Sequence, residues 1–156
     1  MLDSRGSPLK YMDAEIEDWV RDSAATVQTA NSVSPALLNR LRYVAAIVAE
    51  AGPLTAEPQL LYRLPTDKIC CAKIGHELLV GRETPATLIF SDDLRLSRQH
   101  FRIHRTPDGE RIEDLQSRNG TFVNSLKIAA RGLCDGDLIK AGHQIFVFLR
   151  RENELS

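Results

Sequence analysis

Apolar residues change their spacing partway along this chain. In the first fifty residues they recur every three to four positions, the period of a helix with one buried face. Ile16, Trp19, Val20, Ser23, Ala24 and Val27 keep that period, and Asp13, Glu15, Glu17 and Asp18 give an acidic first turn that suits the helix macrodipole. They predict a helix near residues 12–28. Ser34 then has the chemistry of an N-cap, with Pro35 at the first helical position. Leu37, Leu38, Leu41, Val44, Ala45, Ile47 and Val48 form a broad apolar stripe up to Gly52-Pro53. A second helix over residues 35–51 follows.

From residue 58 the pattern turns to short runs of Val, Ile, Leu and Phe divided by Pro, Gly, Asp and Asn. Strands are expected near 59–64, 68–74, 77–82, 87–90, 100–105, 110–115, 121–124, 126–130, 137–140 and 143–150. The clearest pair is "FRIHRTPDGERIEDL", where Phe101 and Ile103 alternate with Arg102 and His104 and Pro107-Asp108-Gly109 reverses the chain. Asn119-Gly120 carries a second hairpin signal. No long helix interrupts these runs, which argues against a parallel βαβ sheet. The expected fold is mainly β, an antiparallel β-sandwich preceded by two α-helices. The expected organisation is a helical segment at 1–53, a sandwich at 58–150 and a tail at 151–156.

Composition narrows the function classes. A hydrophobic fraction of 43% supports a core in a chain of 156 residues. Twenty Lys and Arg against 21 Asp and Glu leave no overall field for wrapping nucleic acid, and aromatics are only 6%. A bound anion must therefore be held locally. No apolar run reaches the roughly 18 residues of a membrane span, and the polar N-terminus lacks the apolar core of a signal peptide, so a cytoplasmic location is expected. Cys70, Cys71 and Cys134 are odd in number and lack metal-ligand spacing, so neither a disulfide framework nor a metal site is expected. Neither a Walker loop nor a dinucleotide glycine fingerprint is present, and no cofactor is expected.

Polar clusters stand at the expected strand ends. Arg82 closes "LLVGR"; "LSRQH" holds Ser97, Arg98 and His100; "DLQSRNGTFVN" holds Asp114, Ser117, Arg118, Asn119, Gly120 and Thr121; "LCDGD" holds Asp135 and Asp137 around Gly136. If the first three meet at one end of the sandwich, guanidiniums, hydroxyls and an amide converge on one point. That combination suits a phosphate monoester, with a charge of about −1.5 to −2 and three acceptor oxygens for planar Arg forks. Ser97, His100 and Asp114 could suggest a hydrolase triad, but no Gly-x-Ser-x-Gly elbow accompanies them and Ser97 lies in an arginine-rich loop. Asp135 and Asp137 read as turn chemistry, and His76, His104 and His143 as surface or strand residues.

Taken in order, "GR", "SRQH", "DLQSRNGTFVN" and "LCDGD" resemble the forkhead-associated (FHA) domain over roughly residues 58–150. The resemblance implies a sandwich of about eleven strands that recognises phosphothreonine on a partner protein through loops at one end. It implies that Arg82 and Ser97 contact the phosphate, that Arg98 and Arg118 add phosphate or peptide contacts, and that Asn119 holds the peptide main chain. Gly81, His100, Gly120 and Thr121 are implied as support: the glycine for close approach, the histidine as a brace for the Ser97 loop. Where the family often has glycine after the asparagine of "FVN", this chain has Ser125. The implied protein is a phosphopeptide-binding signalling module, not an enzyme. The alternatives are a phosphate-independent interaction module of the same fold, or a regulatory subunit whose N-terminal helices bind the partner. Thr26 and Thr29 are also candidates for self-recognition.

Overall fold

A computed structural model describes residues 34–150 of the chain. The first expected helix, 12–28, and the tail at 151–156 lie outside the described residues.

One helix, α1, spans Pro35–Ala51. Its start follows from the local chemistry: the Ser34 hydroxyl accepts a hydrogen bond from the Leu37 amide at 3.1 Å, and Pro35 fills a position whose N–H would have no helical partner. At its end Gly52 adopts φ +82°, and Pro53 follows. The buried face is narrower than the apolar stripe. Tyr43 and Ile47 are buried with Ala36, Val44, Val48 and Ala51 packed about them, whereas Leu38 and Leu41 are 38% and 51% exposed. The contact follows one face of the helix, and the remaining apolar positions turn outward.

Eleven strands form two sheets. β1 (Gln59–Arg63), β2 (Ile69–Lys73), β7 (Thr121–Val123), β8 (Leu126–Ile128), β10 (Leu138–Ala141) and β11 (Gln144–Leu149) form the first, in the order β2-β1-β11-β10-β7-β8. β3 (Glu77–Gly81), β4 (Leu88–Ile89), β5 (Phe101–Thr106), β6 (Gly109–Asp114) and β9 (Ala130–Gly132) form the second, in the order β4-β3-β5-β6-β9. The single run expected at 126–130 is two strands. β8 pairs with β7 in the first sheet, β9 pairs with β6 in the second, and the chain changes sheet between them. The unbroken run there concealed a layer change, because which sheet each half joins is decided by pairing partners elsewhere in the chain.

The molecule has three layers, and the alternation in β1 and β11 shows why. Leu60 and Tyr62 of β1, with Phe146 and Phe148 of β11, enter the core between the sheets. Leu61, Ile145, Val147 and Leu149 point the other way and pack against Tyr43 and Ile47 of α1. Both faces are covered, so all five residues of β1 are buried and a two-residue alternation reads as a continuous apolar run. Tyr62, Phe90, Phe101 and Phe146 meet edge-on in the central core, with centroids 5.4 to 5.8 Å apart.

An ion pair fastens the helix to the sandwich. Both terminal nitrogens of Arg63, whose side chain is almost fully buried, donate to the Glu50 carboxylate at 3.0 and 2.7 Å, and one also donates to the Asp67 carbonyl at 3.1 Å. The Arg63 hydrogen bond holds the Glu50 carboxyl below its ordinary range. Truncating Ile47→Ala should cost about 2–5 kcal/mol in urea unfolding, because the cavity opens inside the helix–sheet layer. A loss under about 1 kcal/mol would mean that the helix adds little to the fold.

Candidate anion-binding site

The polar clusters expected at strand ends do converge. Arg82, Ser97, Arg98, Arg118 and Asn119 all line one open cleft of about 300 Å³, together with Leu94, Arg95 and Gln99. The cleft is built by the loops after β3, before β5 and between β6 and β7.

Its geometry begins with Gly81. A Cβ at this position would lie 1.9 Å from the carbonyl oxygen of Arg98, so only glycine lets the end of β3 approach the loop this closely. The approach is used at once: the Arg82 amide donates to the carbonyls of Ser97 and Arg98 at 3.0 Å each, and the Arg82 Nε donates to the Leu96 carbonyl at 2.9 Å. One edge of the guanidinium is spent on positioning. The rest faces the cleft.

His100 joins the two main loops. It is fully buried; its Nδ1 lies 3.0 Å from the Ser97 amide and its Nε2 2.9 Å from the Gly120 carbonyl. The amide can only donate and the carbonyl can only accept, so these partners select the neutral ring with its proton on Nε2. The Ser97 hydroxyl in turn accepts from the Arg118 amide at 2.9 Å, and the Asn119 side-chain amide donates to the Arg95 carbonyl at 2.9 Å. Each loop thus holds the other. The hydroxyl proton of Ser97 is left to donate to an incoming oxygen.

Asp114 organises the second loop from below. Its Oδ1 accepts from the Ser117 hydroxyl at 2.5 Å and the Thr121 hydroxyl at 2.7 Å, and its Oδ2 from the Ser117 amide at 3.1 Å. The Ser117 hydroxyl also accepts from the Gly120 amide at 2.9 Å. Burial pushes the Asp114 carboxyl up, but the bonds from Ser117 and Thr121 outweigh it and hold the group below the ordinary carboxylate range. Its place beneath the loop, bonded to Ser117 and Thr121, and the pairing of His100 with backbone leave no hydrolase triad among Ser97, His100 and Asp114.

The Asn119-Gly120 turn is not a hairpin tip. β6 and β7 belong to different sheets, so this loop is a crossing between them; of the Asn119-Gly120 pair only Gly120, at φ +90°, has a positive φ, and Gln116 earlier in the loop has another, at +57°. The tight hairpin lies five residues on, between β7 and β8, where Asn124 and Ser125 adopt φ +50° and +74°. Ser125 takes the left-handed place that glycine would fill easily. The Asn124 side chain anchors it, donating to Asp137 Oδ1 and accepting from the Leu138 amide, both at 2.9 Å.

Two residues at the site escaped sequence reading. Arg95 adds a fourth guanidinium to the cleft wall. Asp93, buried although acidic, accepts from the Arg95 and His143 amides and from the Gln144 side chain, and so bolts the Ser97 loop to the β10–β11 turn. His143 is a surface residue, as expected, and its Nδ1 also lies 3.1 Å from Asp93, so it takes part in that bolt. A lone "DD" in a loop carries no signal for such a bolt. Its burial is a tertiary fact.

Electrostatically the cleft is one-sided. Of its four guanidiniums only Arg98 has a carboxylate within reach, Glu83 at 4.0 Å; Arg82, Arg95 and Arg118 have none among the described residues. Among the described residues no group of three His, Cys, Asp or Glu is placed to hold a metal, and no helix is long and apolar enough to cross a membrane.

Comparison with known proteins agrees with this architecture. Residues 78–142 match the family model described as the FHA domain. Over 86 residues the chain is 35% identical to an oxoglutarate dehydrogenase inhibitor of Corynebacterium jeikeium, a stretch covering 51% of this chain and 60% of that protein. Over 81 residues it is 37% identical to the ABC transporter ATP-binding/permease protein Rv1747 of Mycobacterium tuberculosis, covering 49% of this chain but 9% of the transporter. Among solved structures, one from a structural and functional analysis of phosphothreonine-dependent FHA domain interactions superposes with a TM-score of 0.54 at 25% identity, covering 62% of this chain and 98% of that one.

The lowered Asp114 group gives the site a pH dependence. Its contribution to stability is fully present above the unfolded carboxyl value of about 4 and is lost as pH falls through the lower folded value. Asp114→Asn should therefore be less stable at pH 7, and between about pH 5 and 2 it should lose less further stability than the parent in urea titrations. Parallel acid limbs for the two proteins would contradict that assignment.

Proposed function

The chain carries an FHA domain, and from that premise we propose that it binds phosphothreonine on a partner protein through the cleft between the β3, β4–β5 and β6–β7 loops. The observation that carries the reading is the set of three guanidiniums, Arg82, Arg95 and Arg118, that face one cleft without carboxylate partners among the described residues, in a chain whose net charge is −1. Unpaired like charges repel, and holding them together costs stability unless an anion completes the set.

Each group then has a role. Arg82, fixed through its Nε, presents its remaining N–H groups to the phosphate, and Ser97 donates its hydroxyl proton. Arg98, largely exposed beside Glu83, and Arg118 add charge at the rim. Asn119 turns its amide from the Arg95 carbonyl to the bound main chain. Gly81, His100, Gly120 and Thr121 hold the loops at this spacing. The FHA module of the solved neighbour was studied for phosphothreonine-dependent interactions, which supports the same ligand class here. The proposed role is binding, not catalysis, in a signalling pathway that phosphorylates the partner.

Hydrogen bonds to charged groups are worth about 1.5–3 kcal/mol each, so two such contacts separate phosphorylated from unphosphorylated peptide by roughly 100-fold or more. Isothermal titration of the whole chain with matched peptides carrying phosphothreonine, threonine or glutamate should show that ranking, with the phosphorylated form ahead of both others. Arg82→Ala should remove about 10- to 100-fold of the affinity for the phosphorylated peptide. Equal affinities for the three peptides would overturn the reading.

A further inference from the structure

Tyr43 and Ile47 mark the side of α1 that meets the sheet. On the opposite side Leu38, Leu41, Ala45 and Ala49 follow the helical spacing in one row, and all four are exposed. Two leucines at the start of the row give way to two alanines toward its end. Arg42 stands in the same row, exposed, with no carboxylate within ion-pair distance among the described residues.

The chain that precedes α1 carries a matching pattern. Residues 12–28 have the helical period, with Ile16, Trp19, Val20, Ala24 and Val27 on one side. Only residues 29–33 separate that period from the Ser34 N-cap, and a connection of this length joins antiparallel helices. It also sets the register. Counting back from the connection and forward along α1, Val27 falls opposite Leu38, Ala24 opposite Leu41, Val20 opposite Ala45 and Ile16 opposite Ala49. Small meets large at the last three of these pairs, and Trp19 falls beside the exposed Ala46. The charges agree as well. Residues 12–28 hold Asp13, Glu15, Glu17, Asp18 and Asp22 against Arg21, whereas α1 carries Arg40 and Arg42, and its one carboxylate, Glu50, is taken by Arg63.

We propose that residues 12–28 pack as an antiparallel helix on the outward face of α1, a fourth layer on the molecule. The occupant is the chain's own segment, because a short tether holds it beside the face at high effective concentration. A second copy fits worse: two copies meeting about a two-fold axis on this row would bring Arg42, near its middle, against its own counterpart. The packing also decides where Thr26 and Thr29 lie. Glu50, near the end of α1, is bonded to Arg63 at the end of β1, beside the start of β11, whose Gln144 is bonded to Asp93 at the anion cleft. The 17-residue helix puts Ser34 about 25 Å from that end. A docked segment therefore holds Thr26 and Thr29 near Ser34 and withholds them from the chain's own cleft.

Trp19 is the chain's one tryptophan, so its fluorescence reports on this segment alone. The whole native chain should emit to the blue of the urea-unfolded chain and be quenched several-fold less by acrylamide, equally at low and high protein concentration. Ala45→Glu places a charge on the outward face of α1 without entering either core, and Ala24→Glu does the same from the segment's side. Each should return most of the emission shift and of the quenching to the unfolded values while the cooperative urea transition of the sandwich is kept. Quenching of native Trp19 at the unfolded level overturns the proposal. So does protection that both variants leave intact, which would put the segment elsewhere. Protection that fades on dilution together with a halved sedimentation mass would make a second copy the occupant, and equally overturns it. None of these outcomes bears on phosphothreonine binding at the cleft.

Discussion

The site depends on one buried imidazole. His100 stands between the loop that leads into β5 and the loop that crosses from β6 in one sheet to β7 in the other. Its two ring nitrogens meet a donor and an acceptor, so both bonds form only with the ring in one orientation and one tautomer. This defines the distance between the Ser97 amide and the Gly120 carbonyl, and through it the spacing of Ser97, Arg118 and Asn119. The ring also packs edge-on against Phe101, 6.3 Å between centroids, which ties its orientation to the aromatic core.

Around that pin the cleft is preorganised in an unfavourable charge state. Backbone carbonyls, not carboxylates, hold the arginine side: Leu96 takes the Arg82 Nε, and Ser97 and Arg98 take the Arg82 amide. A carbonyl positions a guanidinium without neutralising it. The negative charges nearby, Asp93 and Asp114, are consumed in holding loops, each accepting several hydrogen bonds below the surface. An anion entering the cleft would meet Arg82, Arg95 and Arg118 with no ion pair to break among the described residues, and would compete only with Glu83 for Arg98.

The helix contributes at a distance. By covering β1, β2 and β11 it converts what would be a solvated sheet face into a second core, and Arg63–Glu50 closes its end. Leu38 and Leu41 remain exposed on the helix, so its apolar content exceeds what the sandwich uses.

Much of this was legible in the residues alone. The helix at 35–51 was readable because N-cap, first-position proline and terminal Gly-Pro act within a few residues of themselves, and the strands because apolar runs between turn formers are local signals. That Arg82, Ser97, Arg98, Arg118 and Asn119 line one cleft was readable as an expectation because polar and charged side chains gather in short stretches between the apolar runs. What local pattern could not decide was which layer each run joins. It merged β8 with β9 and took Asn119-Gly120 for a hairpin, because sheet membership is decided by partners far along the chain. For the same reason nothing local marked Arg95 as a cleft residue or Asp93 as a buried anchor. By itself the sequence determined most of the elements and which polar side chains stand at their ends, both set by neighbours within a few residues. Only the tertiary structure decided that the loops face one another across a buried histidine, since burial and charge pairing depend on residues distant in sequence.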